Sequence, residues 1–347
     1  MKIYSAFLSF RYRKSFLINR FKLKKIEISS SKIINGSHNS CPICFSKEAS
    51  LISEVDRVGI LCNTVICKKC EFVFNNSFIA NPIEFYANQF GQARWGEPEK
   101  NFVKRTSLDS FSWKRFLFLK KIMDKDFPQI EKILEIGCGD GCNLLHFHLI
   151  GKQVTGCDLA TPFLEPGRKR GLNLIQGDIT SISKNIDFDL IMLIHSFEHV
   201  VDLDLTVQSA FSRLREGGFI FVEVPGIIGW NQTRKKSSQT MGLKSSNNFL
   251  QYLQFEHNYH FSLEHLKLVW ERNGFEMIYG DEWVRAIFRK KNDVNSINSK
   301  ISFDNNSLNV MNHLQEVEKD FLKISNFLSR LVRLINRKLT FQNTKFF

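Results

Sequence analysis

Two pairs of cysteines carry the most specific chemical signal in the N-terminal part of the chain. The sequence CPIC holds Cys41 and Cys44, CKKC holds Cys67 and Cys70, and 22 residues separate the two pairs. Each short turn directs two thiolates toward one point, and two such turns together form a tetrahedral zinc site. The spacing therefore predicts Zn²⁺ bound by Cys41, Cys44, Cys67 and Cys70 in a closed, structural site. The alternative is four ordinary thiols.

A glycine-rich turn in KILEIGCGDGCNLL is the second chemical signal. Gly137, Gly139 and Gly141 follow a short apolar run and precede a helix-like segment. Glycines at the carboxyl end of a strand let the backbone turn tightly and approach a ligand closely. NAD(P) enzymes use G-x-G-x-x-G, but Cys142 stands at the position of the third glycine. The turn predicts a nucleotide-type ligand and disfavours NAD(P).

The elements that must hold this turn alternate between strand and helix. Apolar strand candidates occur at 132–136, 153–157, 172–176, 188–194 and 218–224. Helical patterns separate most of them, which predicts a doubly wound α/β fold with a mostly parallel sheet. A later helix is expected between the cap Ser262 and the stop Gly274. FEMIYGDEWVRAIFRK then predicts an antiparallel hairpin at the sheet edge, which makes seven strands in all.

The segment LEIGCGDG resembles motif I of the class I S-adenosylmethionine-dependent methyltransferases. VTGCDLA, NLIQGDI, FDLIMLIHSFEHV and LREGGFIFVEVPG follow in the family's order. The resemblance implies a Rossmann-like methyltransferase fold and S-adenosyl-L-methionine as the cofactor. It implies contacts from Glu135 to the methionine end, from Asp158 to the ribose, from Asp178 and Ile179 to the adenine, and from His195 at the cofactor rim. The glycines Gly137, Gly139 and Gly141 complete this set.

The acceptor side is expected in QFEHNYHFSLEHL, residues 254–266. The segment resembles one in the sugar C-methyltransferases, where a Glu-His pair is followed by a tyrosine and Phe-Ser. Here the tyrosine is displaced, because Tyr259 precedes His260, which occupies its expected place. His257, Tyr259 and His260 are therefore the candidates for a proton acceptor, and a structural role is the alternative. Glu198 and His199 either line the acceptor pocket or order their own loop.

The order of a cysteine-rich ribbon, an aromatic strand and a methyltransferase core is similar to that of the sugar C-methyltransferases. Glu71 replaces the glycine that usually follows the second cysteine pair. The resemblance implies a nucleotide-linked sugar or a related surface-polysaccharide precursor as the acceptor. The alternative is a ribosomal RNA methyltransferase with a zinc ribbon. HSFEHV lacks the Pro-Pro-aromatic motif of enzymes that methylate base amino groups. A non-enzymatic scaffold is a third hypothesis, which the intact glycine loop opposes.

The formal charge of +13 is concentrated in the tails. Residues 1–36 carry nine basic side chains and one acidic one, whereas residues 131–290 carry 17 and 19. This distribution makes a nucleic-acid partner for the core unlikely. We expect a cytoplasmic enzyme, because four of the eight cysteines have no obvious partner, which suits a reducing compartment; these are Cys62, Cys138, Cys142 and Cys157. Peripheral membrane contact through residues 1–36 is a hypothesis.

The C-terminal segment has apolar residues at alternating spacings of four and three, from Val310 to Ile335. This stripe predicts one long helix that either docks on its own domain or forms a homodimer. The predicted organisation is a basic arm at 1–36, a zinc ribbon at 37–80, a helical lead-in at 81–128, a methyltransferase domain at 129–290 and a C-terminal helix at 291–347. Residues 226–261 form an irregular insertion between the fifth strand and the later helix. We expect its polar part to be a lid in which Arg234, Lys235 and Lys236 contact a substrate phosphate; the alternative is a solvated loop.

Overall fold

A computed structural model describes residues 34–57, 60–86, 97–126, 129–230, 249–291 and 309–322. The basic arm, the predicted lid with Arg234, Lys235 and Lys236, and the helix stripe beyond Leu322 lie outside the described residues. Within the described ranges, no helix has both the length and the apolar character that a membrane span requires.

Thirteen strands and eight α-helices make up the described part of the chain. The strands are β1 (Gly36–Ser37), β2 (Ala49–Val55), β3 (Leu61–Cys67), β4 (Val73–Asn75), β5 (Ser77–Phe78), β6 (Lys132–Ile136), β7 (Gln153–Asp158), β8 (Asn173–Gln176), β9 (Phe188–Ile194), β10 (Leu214–Glu223), β11 (Tyr259–His260), β12 (Phe275–Asp281) and β13 (Arg285–Lys290). The helices are α1 (Pro82–Phe85), α2 (Pro98–Arg105), α3 (Phe111–Asp126), α4 (Cys142–Leu149), α5 (Thr161–Arg168), α6 (Leu203–Phe211), α7 (Leu263–Glu271) and α8 (Val310–Leu322).

Seven of the strands form the central sheet, in the order β12-β13-β10-β9-β6-β7-β8. The five from β8 to β10 run parallel, whereas β13 pairs antiparallel with both β10 and β12. The predicted Rossmann-like architecture and the antiparallel hairpin are therefore present. The order reverses beside β6, which is where open α/β sheets place their ligands.

Alternation along the strands produces the two sides of the core. On β6, Ile133 packs into a cluster with Phe116 of α3 and Phe147 of α4. The next residue, Leu134, faces the opposite cluster, which contains Trp270 of α7. Successive side chains of a strand point to opposite faces, so a nearly continuous apolar strand such as β6 requires helices on both faces.

Local signals explain where the helices begin and end. The Ser262 hydroxyl accepts a hydrogen bond from the His265 amide at 3.3 Å and caps α7, as predicted. Gly274 follows the helix with φ +90°, a conformation that favours glycine. The Asp202 carboxylate caps α6 in the same way by accepting from the Leu205 amide at 2.9 Å.

The cysteine-rich segment forms a second sheet that shares its core with the first. Its order is β11-β4-β3-β2. The fourth strand, β11, therefore comes from residues 254–266, the predicted acceptor segment. Phe72 and Phe74 pack in the same buried cluster as Phe197, which follows β9. The sequence predicted an irregular insertion here and gave no indication of β11, because a two-residue strand has no periodicity to detect.

The side chain of Asn75 ties the two parts together. Its amide Nδ2 donates to the carbonyl oxygens of Gln254 at 3.1 Å and His257 at 2.9 Å. Its Oδ1 accepts from the Thr64 hydroxyl at 2.8 Å, and its backbone N–H donates to Asn258 O at 2.9 Å. Asn75 is fully buried, so its side chain holds the predicted acceptor segment to the cysteine-rich sheet together with the pairing of β11 and β4.

The described part of the C-terminal helix is docked on the protein. Val310, Leu314 and Val317 of α8 are buried in a cluster with Phe249 and Tyr252. The helix also begins at the cysteine-rich sheet, since the Met311 amide donates to Glu71 Oε2 at 3.0 Å. This contact satisfies one of the free N–H groups of the first helical turn.

We expect Asn75→Ala to lower the free energy of unfolding by about 2–4 kcal/mol, because it removes the Nδ2 donor of the buried His257 carbonyl oxygen and the Oδ1 acceptor of the buried Thr64 hydroxyl. Denaturant unfolding of the full chain measures this. The control is Asn173→Ala, whose exposed amide donates only to Thr155 Oγ1 and which should change stability by less than about 0.5 kcal/mol. Equal effects of the two substitutions would contradict the central role of Asn75.

Candidate functional site

Polar residues gather where the parallel strands end. Glu135 is the penultimate residue of β6, Asp158 ends β7, Glu223 ends β10, and His195 directly follows β9. The carboxyl ends of parallel strands meet at one edge of the sheet, so these four side chains come from distant positions to a single edge.

The glycine turn after β6 needs its glycines for two different reasons. Gly137 has φ +73°, and a Cβ there would lie 2.5 Å from Ser196 Cβ. Gly139 has φ +55°, but a Cβ there would meet nothing within 4 Å. The first glycine is required by packing against the β9 loop. The second leaves open space beside the backbone, which a bound ligand can approach.

Asp158 holds the glycine turn as well as ending β7. Its Oδ2 accepts from the Gly139 amide at 2.8 Å, and its Oδ1 accepts from the Ala160 amide at 2.9 Å. Burial raises the pKa of Asp158 despite these hydrogen bonds. The resemblance implied a ribose contact alone, and this second role was not predicted from the sequence.

Glu135 is fully buried and only half satisfied. Its Oε1 accepts from Asn143 Nδ2 at 2.7 Å, whereas its Oε2 is buried without a hydrogen-bond partner among the described residues. Burial raises its pKa to about 8, against the opposing effect of the Asn143 hydrogen bond. The raised pKa favours the neutral acid in the absence of a ligand, and a cationic ligand group beside Oε2 would favour the ionised carboxylate that accepts from it.

Asp178 and Ile179 lie at the end of β8, where the resemblance placed adenine contacts. The Asp178 carboxylate accepts from the Thr180 amide at 2.8 Å and from its hydroxyl at 2.5 Å, and so caps a 3-10 turn at Ile179–Ser181. The Ile179 side chain is buried in the core.

His195 belongs to an ion-pair network that the sequence did not predict. Its φ is +52°, and its Nε2 lies 3.4 Å from Glu223 Oε1. Arg115 of α3 binds Glu223 through Nε at 2.8 Å and Nη2 at 2.5 Å. The imidazole is about half exposed (49%). Desolvation works to lower the pKa of His195, but Glu198 and Glu223 raise it to about 9.

The three candidate proton acceptors have different surroundings. The Tyr259 hydroxyl donates to Val201 O at 2.6 Å, and its ring packs against Phe72, so it is engaged in the core. His260 is buried with neither ring nitrogen hydrogen-bonded among the described residues, and burial lowers its pKa to about 3. His257 is buried edge-on to His199, and burial lowers its pKa well below the usual value.

The four predicted cysteine ligands converge on one point. Cys41 Sγ lies 3.5 Å from Cys70 Sγ, and Cys44 Sγ lies 3.4 Å from Cys67 Sγ. All four sulfurs lie within 4.8 Å of one another. A tetrahedral zinc with Zn–S bonds of about 2.3 Å holds its sulfurs about 3.8 Å apart, so the cluster has the dimensions of such a site. Cys62 lies outside this cluster, as predicted.

Both cysteine turns share one backbone geometry. The residue after each second cysteine, Phe45 or Glu71, is left-handed with φ +59° and +57°. The N–H of Phe45 donates to Cys41 O at 2.9 Å, and the N–H of Glu71 donates to Cys67 O at 3.0 Å. The glutamate that replaces the expected glycine therefore adopts the glycine conformation, at a steric cost of about 1–2 kcal/mol.

The sequence reasoning missed Arg115, Asn143 and Glu223. Glu223 was detectable in principle, because a charge at the end of the apolar run FIFVE implies a specific partner. Arg115 and Asn143 lie on helices. The apolar pattern of a helix predicts its buried face, but it does not predict which polar side chains of other elements Arg115 and Asn143 contact. Their importance appears only once the fold places them beside Glu223 and Glu135.

Comparison with known proteins identifies the family. Residues 104–279 match the family model described as a methyltransferase domain. The match spans just over half of the 347 residues, and the chain belongs to this family.

Curated relatives named ubiquinone biosynthesis O-methyltransferase are similar to part of the chain. The Idiomarina loihiensis protein is 29% identical over 137 residues, which are 37% of this chain and 54% of the relative. The Bartonella bacilliformis protein is 27% identical over 146 residues, 38% of this chain and 58% of the relative. The chain thus spans about half the length of the curated relatives it matches.

Solved structures are also similar to the chain. An amino pentose methyltransferase of Micromonospora echinaspora, bound to S-adenosylmethionine, is 16% identical and covers 55% of this chain and 96% of its own, with a TM-score of 0.42. A magnesium protoporphyrin IX methyltransferase of Synechocystis is 13% identical over 61% of this chain and 99% of its own, with a TM-score of 0.42.

The chain belongs to the class I S-adenosylmethionine-dependent methyltransferases. The unpartnered Glu135 Oε2 is suited to the cationic methionine end, and the open space at Gly139 is suited to a closely approaching ligand. The predicted enzyme class and cofactor are confirmed.

We expect Gly139→Ala to weaken S-adenosylmethionine binding at least about tenfold, because its Cβ enters space that the ligand uses. The matched control is Gly151→Ala, at φ +85° and likewise with nothing within 4 Å of a Cβ. Both should lower stability by about 1–2 kcal/mol, but only the first should change the Kd in calorimetry. Equal Kd values for the two variants would count against the loop as the cofactor site.

Proposed function

We propose that this enzyme transfers a methyl group from S-adenosylmethionine to a small polar acceptor, a nucleotide-linked sugar or related surface-polysaccharide precursor. The observation that carries the proposal is the pairing of β11, in the acceptor segment, with β4 of the cysteine-rich sheet. The cysteine-rich sheet is thus built into the acceptor side. This arrangement supports the resemblance to the sugar C-methyltransferases on which the acceptor assignment rests.

The residues that we assign to the cofactor lie at or next to the carboxyl ends of the parallel strands. Glu135 is assigned to the methionine end, Asp158 to the ribose, and Asp178 with the Ile179 backbone to the adenine. Gly137, Gly139 and Gly141 shape the turn, and His195 lies at the rim. When bound, the cofactor supplies a methyl group already activated on a sulfonium. The residues of this chain therefore need only orient the acceptor and, where required, hold its proton.

Glu223 lies between two basic side chains, Arg115 and His195, at the edge of the sheet proposed to bind the cofactor. Desolvation works to raise the pKa of Glu223, but His195 and Arg115 lower it to about 2. Glu223 therefore stays ionised and keeps His195 protonated at neutral pH. The two neighbouring carboxylates, Glu198 and Glu223, support the assignment of His195 as a positioning residue at the rim.

His257 is the strongest of the three candidates for the acceptor-side group. Its low pKa leaves the imidazole neutral, with a lone pair that can take a proton. His260 is also neutral, but it lies in the β11 ladder beside Tyr252. Tyr259 is less suited, because its hydroxyl already donates to Val201 O.

The relatives that act in ubiquinone biosynthesis transfer to oxygen, and they cover 37% to 38% of this chain. The family model covers just over half of this chain, which is more than these relatives cover. We therefore do not assign their acceptor to this enzyme. Their reaction does support oxygen as one acceptor atom to test.

We further propose that Cys41, Cys44, Cys67 and Cys70 bind a structural Zn²⁺. The sulfur separations and the two matching turns support this assignment. Metal analysis should find one zinc per chain in the wild type and almost none in Cys70→Ser, whose unfolding free energy should fall by several kcal/mol. Cys62→Ser, which alters a buried thiol outside the cluster, should keep its zinc. Zinc-free but fully folded wild-type protein would exclude the site.

The acceptor is tested by offering radiolabelled S-adenosylmethionine with a panel of nucleotide-linked deoxysugars, and with ribosomal RNA in parallel. We expect label in a nucleotide sugar. His257→Gln should lower kcat by about 100-fold or more, whereas Tyr259→Phe should stay within a few-fold of the wild type. Label in RNA alone would support the ribosomal alternative, and an unaffected His257→Gln enzyme would remove His257 from the proposed role.

A further inference from the structure

Three side chains come together on the proposed acceptor side, and only His257 has a role in the methyl transfer proposed above. Glu198 and His199 lie in the 3-10 turn Phe197–His199, and His257 lies just before β11. One carboxylate oxygen and one nitrogen from each ring lie within 4.8 Å of one another. Sequence reasoning assigned the first two either to the pocket or to loop ordering, and it treated His257 separately.

Glu198 is the residue that most requires an explanation. It is 1% exposed, and neither carboxylate oxygen has a hydrogen-bond partner among the described residues. His195 Nδ1 and His199 Nε2 both lie 3.7 Å from the same atom, Oε1. His195 Nε2 also lies 3.4 Å from Glu223 Oε1, so this ring is shared between two carboxylates. Glu198 Oε2 has no hydrogen-bond partner among the described residues. A buried carboxylate in this condition costs several kcal/mol unless a cation neutralises it.

The hydrogen bonds of His199 direct its free nitrogen at this carboxylate. Its Nδ1 lies 2.8 Å from the Glu256 carbonyl oxygen, which can only accept, so Nδ1 carries the proton. In the neutral ring, Nε2 then presents a lone pair toward Glu198 Oε1 at 3.7 Å. Two acceptors that face each other at this distance need a cation or a proton between them.

Two asparagine side chains hold the backbone of His199 and of His257 in place. Asn258 Nδ2 donates to His199 O at 3.0 Å and to Val200 O at 2.9 Å. The His257 carbonyl is held by Asn75, and its ring meets His199 edge-on at a centroid distance of 4.8 Å. Both histidines are therefore preorganised by their neighbours, which is the usual support for metal-ligating imidazoles.

We propose that Glu198, His199 and His257 bind a divalent cation. Two imidazoles and one carboxylate suit Zn²⁺, Fe²⁺, Co²⁺ or Mn²⁺. With bonds of about 2.0–2.2 Å, the ligand atoms would move to about 3.0–3.5 Å from one another. Three protein ligands leave positions for water or an acceptor oxygen, so this site is open where the four-cysteine site is closed. The proposal goes beyond methyl transfer, because ion binding requires neither the cofactor nor a particular acceptor. With the ion bound, the His257 nitrogen would be a ligand, and a water or acceptor oxygen on the ion would replace the free imidazole in holding the proton.

Mn²⁺ titration of the full-length protein tests the proposal, with free Mn²⁺ followed by electron paramagnetic resonance. The protein is first freed of metal in excess of one zinc per chain, so that zinc does not occupy the second site. Mn²⁺ is a suitable probe because it prefers oxygen and nitrogen ligands to thiolates. We expect one Mn²⁺ per chain, with affinity at least about tenfold weaker in Glu198→Gln and in His257→Gln. Zinc content and S-adenosylmethionine affinity, measured on the same samples, report folding and cofactor binding independently.

Glu165→Gln and His148→Gln are the controls, since they make the same changes outside the cluster and should bind Mn²⁺ as the wild type does. If Glu198→Gln does not fold, His257→Gln decides. Wild-type protein that retains no Mn²⁺ overturns the proposal, and so does binding that neither cluster variant weakens. Wild-type protein that binds Mn²⁺ but not S-adenosylmethionine would instead count against the proposed methyltransferase site.

Discussion

One buried amide connects the proposed acceptor side of this enzyme to the cysteine-rich sheet. Asn75 lies on the cysteine-rich sheet and satisfies carbonyl oxygens of the segment that carries His257. Backbone groups in a buried segment without regular structure require partners, and a side-chain amide can supply them where no neighbouring strand does. The position of His257 therefore depends on the cysteine-rich sheet as much as on the methyltransferase core.

The cofactor side depends on a different constraint, which is charge at the ends of the strands. Glu135, Asp158 and Glu223 place three carboxylates at one edge of the sheet. Arg115 neutralises Glu223, and backbone amides hold Asp158, whereas Glu135 keeps one oxygen unpartnered. Among the three, the residue suited to a cationic ligand is thus the one that the protein itself leaves unsatisfied.

The sequence was informative wherever a pattern repeats locally. The strand candidate 188–194 matches β9, and Ser262 and Gly274 bound α7 as predicted, because caps and glycine stops act within one helical turn. The strand predicted at 218–224 instead begins at Leu214, since it continues through the Gly-Gly turn with a shift in register. Local patterns locate an element better than they locate its ends.

Contacts between distant residues could not be predicted in this way. Asn75 and His257 are 182 positions apart, and Arg115 and Glu223 are 108 apart, so no spacing rule connects them. The four cysteines are the exception, because each pair is local and zinc chemistry restricts how two pairs combine. The grouping of Glu198, His199 and His257 required the fold.

The left-handed residue after the second cysteine pair has a consequence for the C-terminal helix. A glycine at position 71 would relieve the backbone strain, but it would have no carboxylate to accept from Met311. Glu71 thus carries a steric penalty at the cysteine turn and uses its side chain to anchor the start of α8. The ordering of the cysteine turn and the seating of the terminal helix are therefore thermodynamically coupled through one residue.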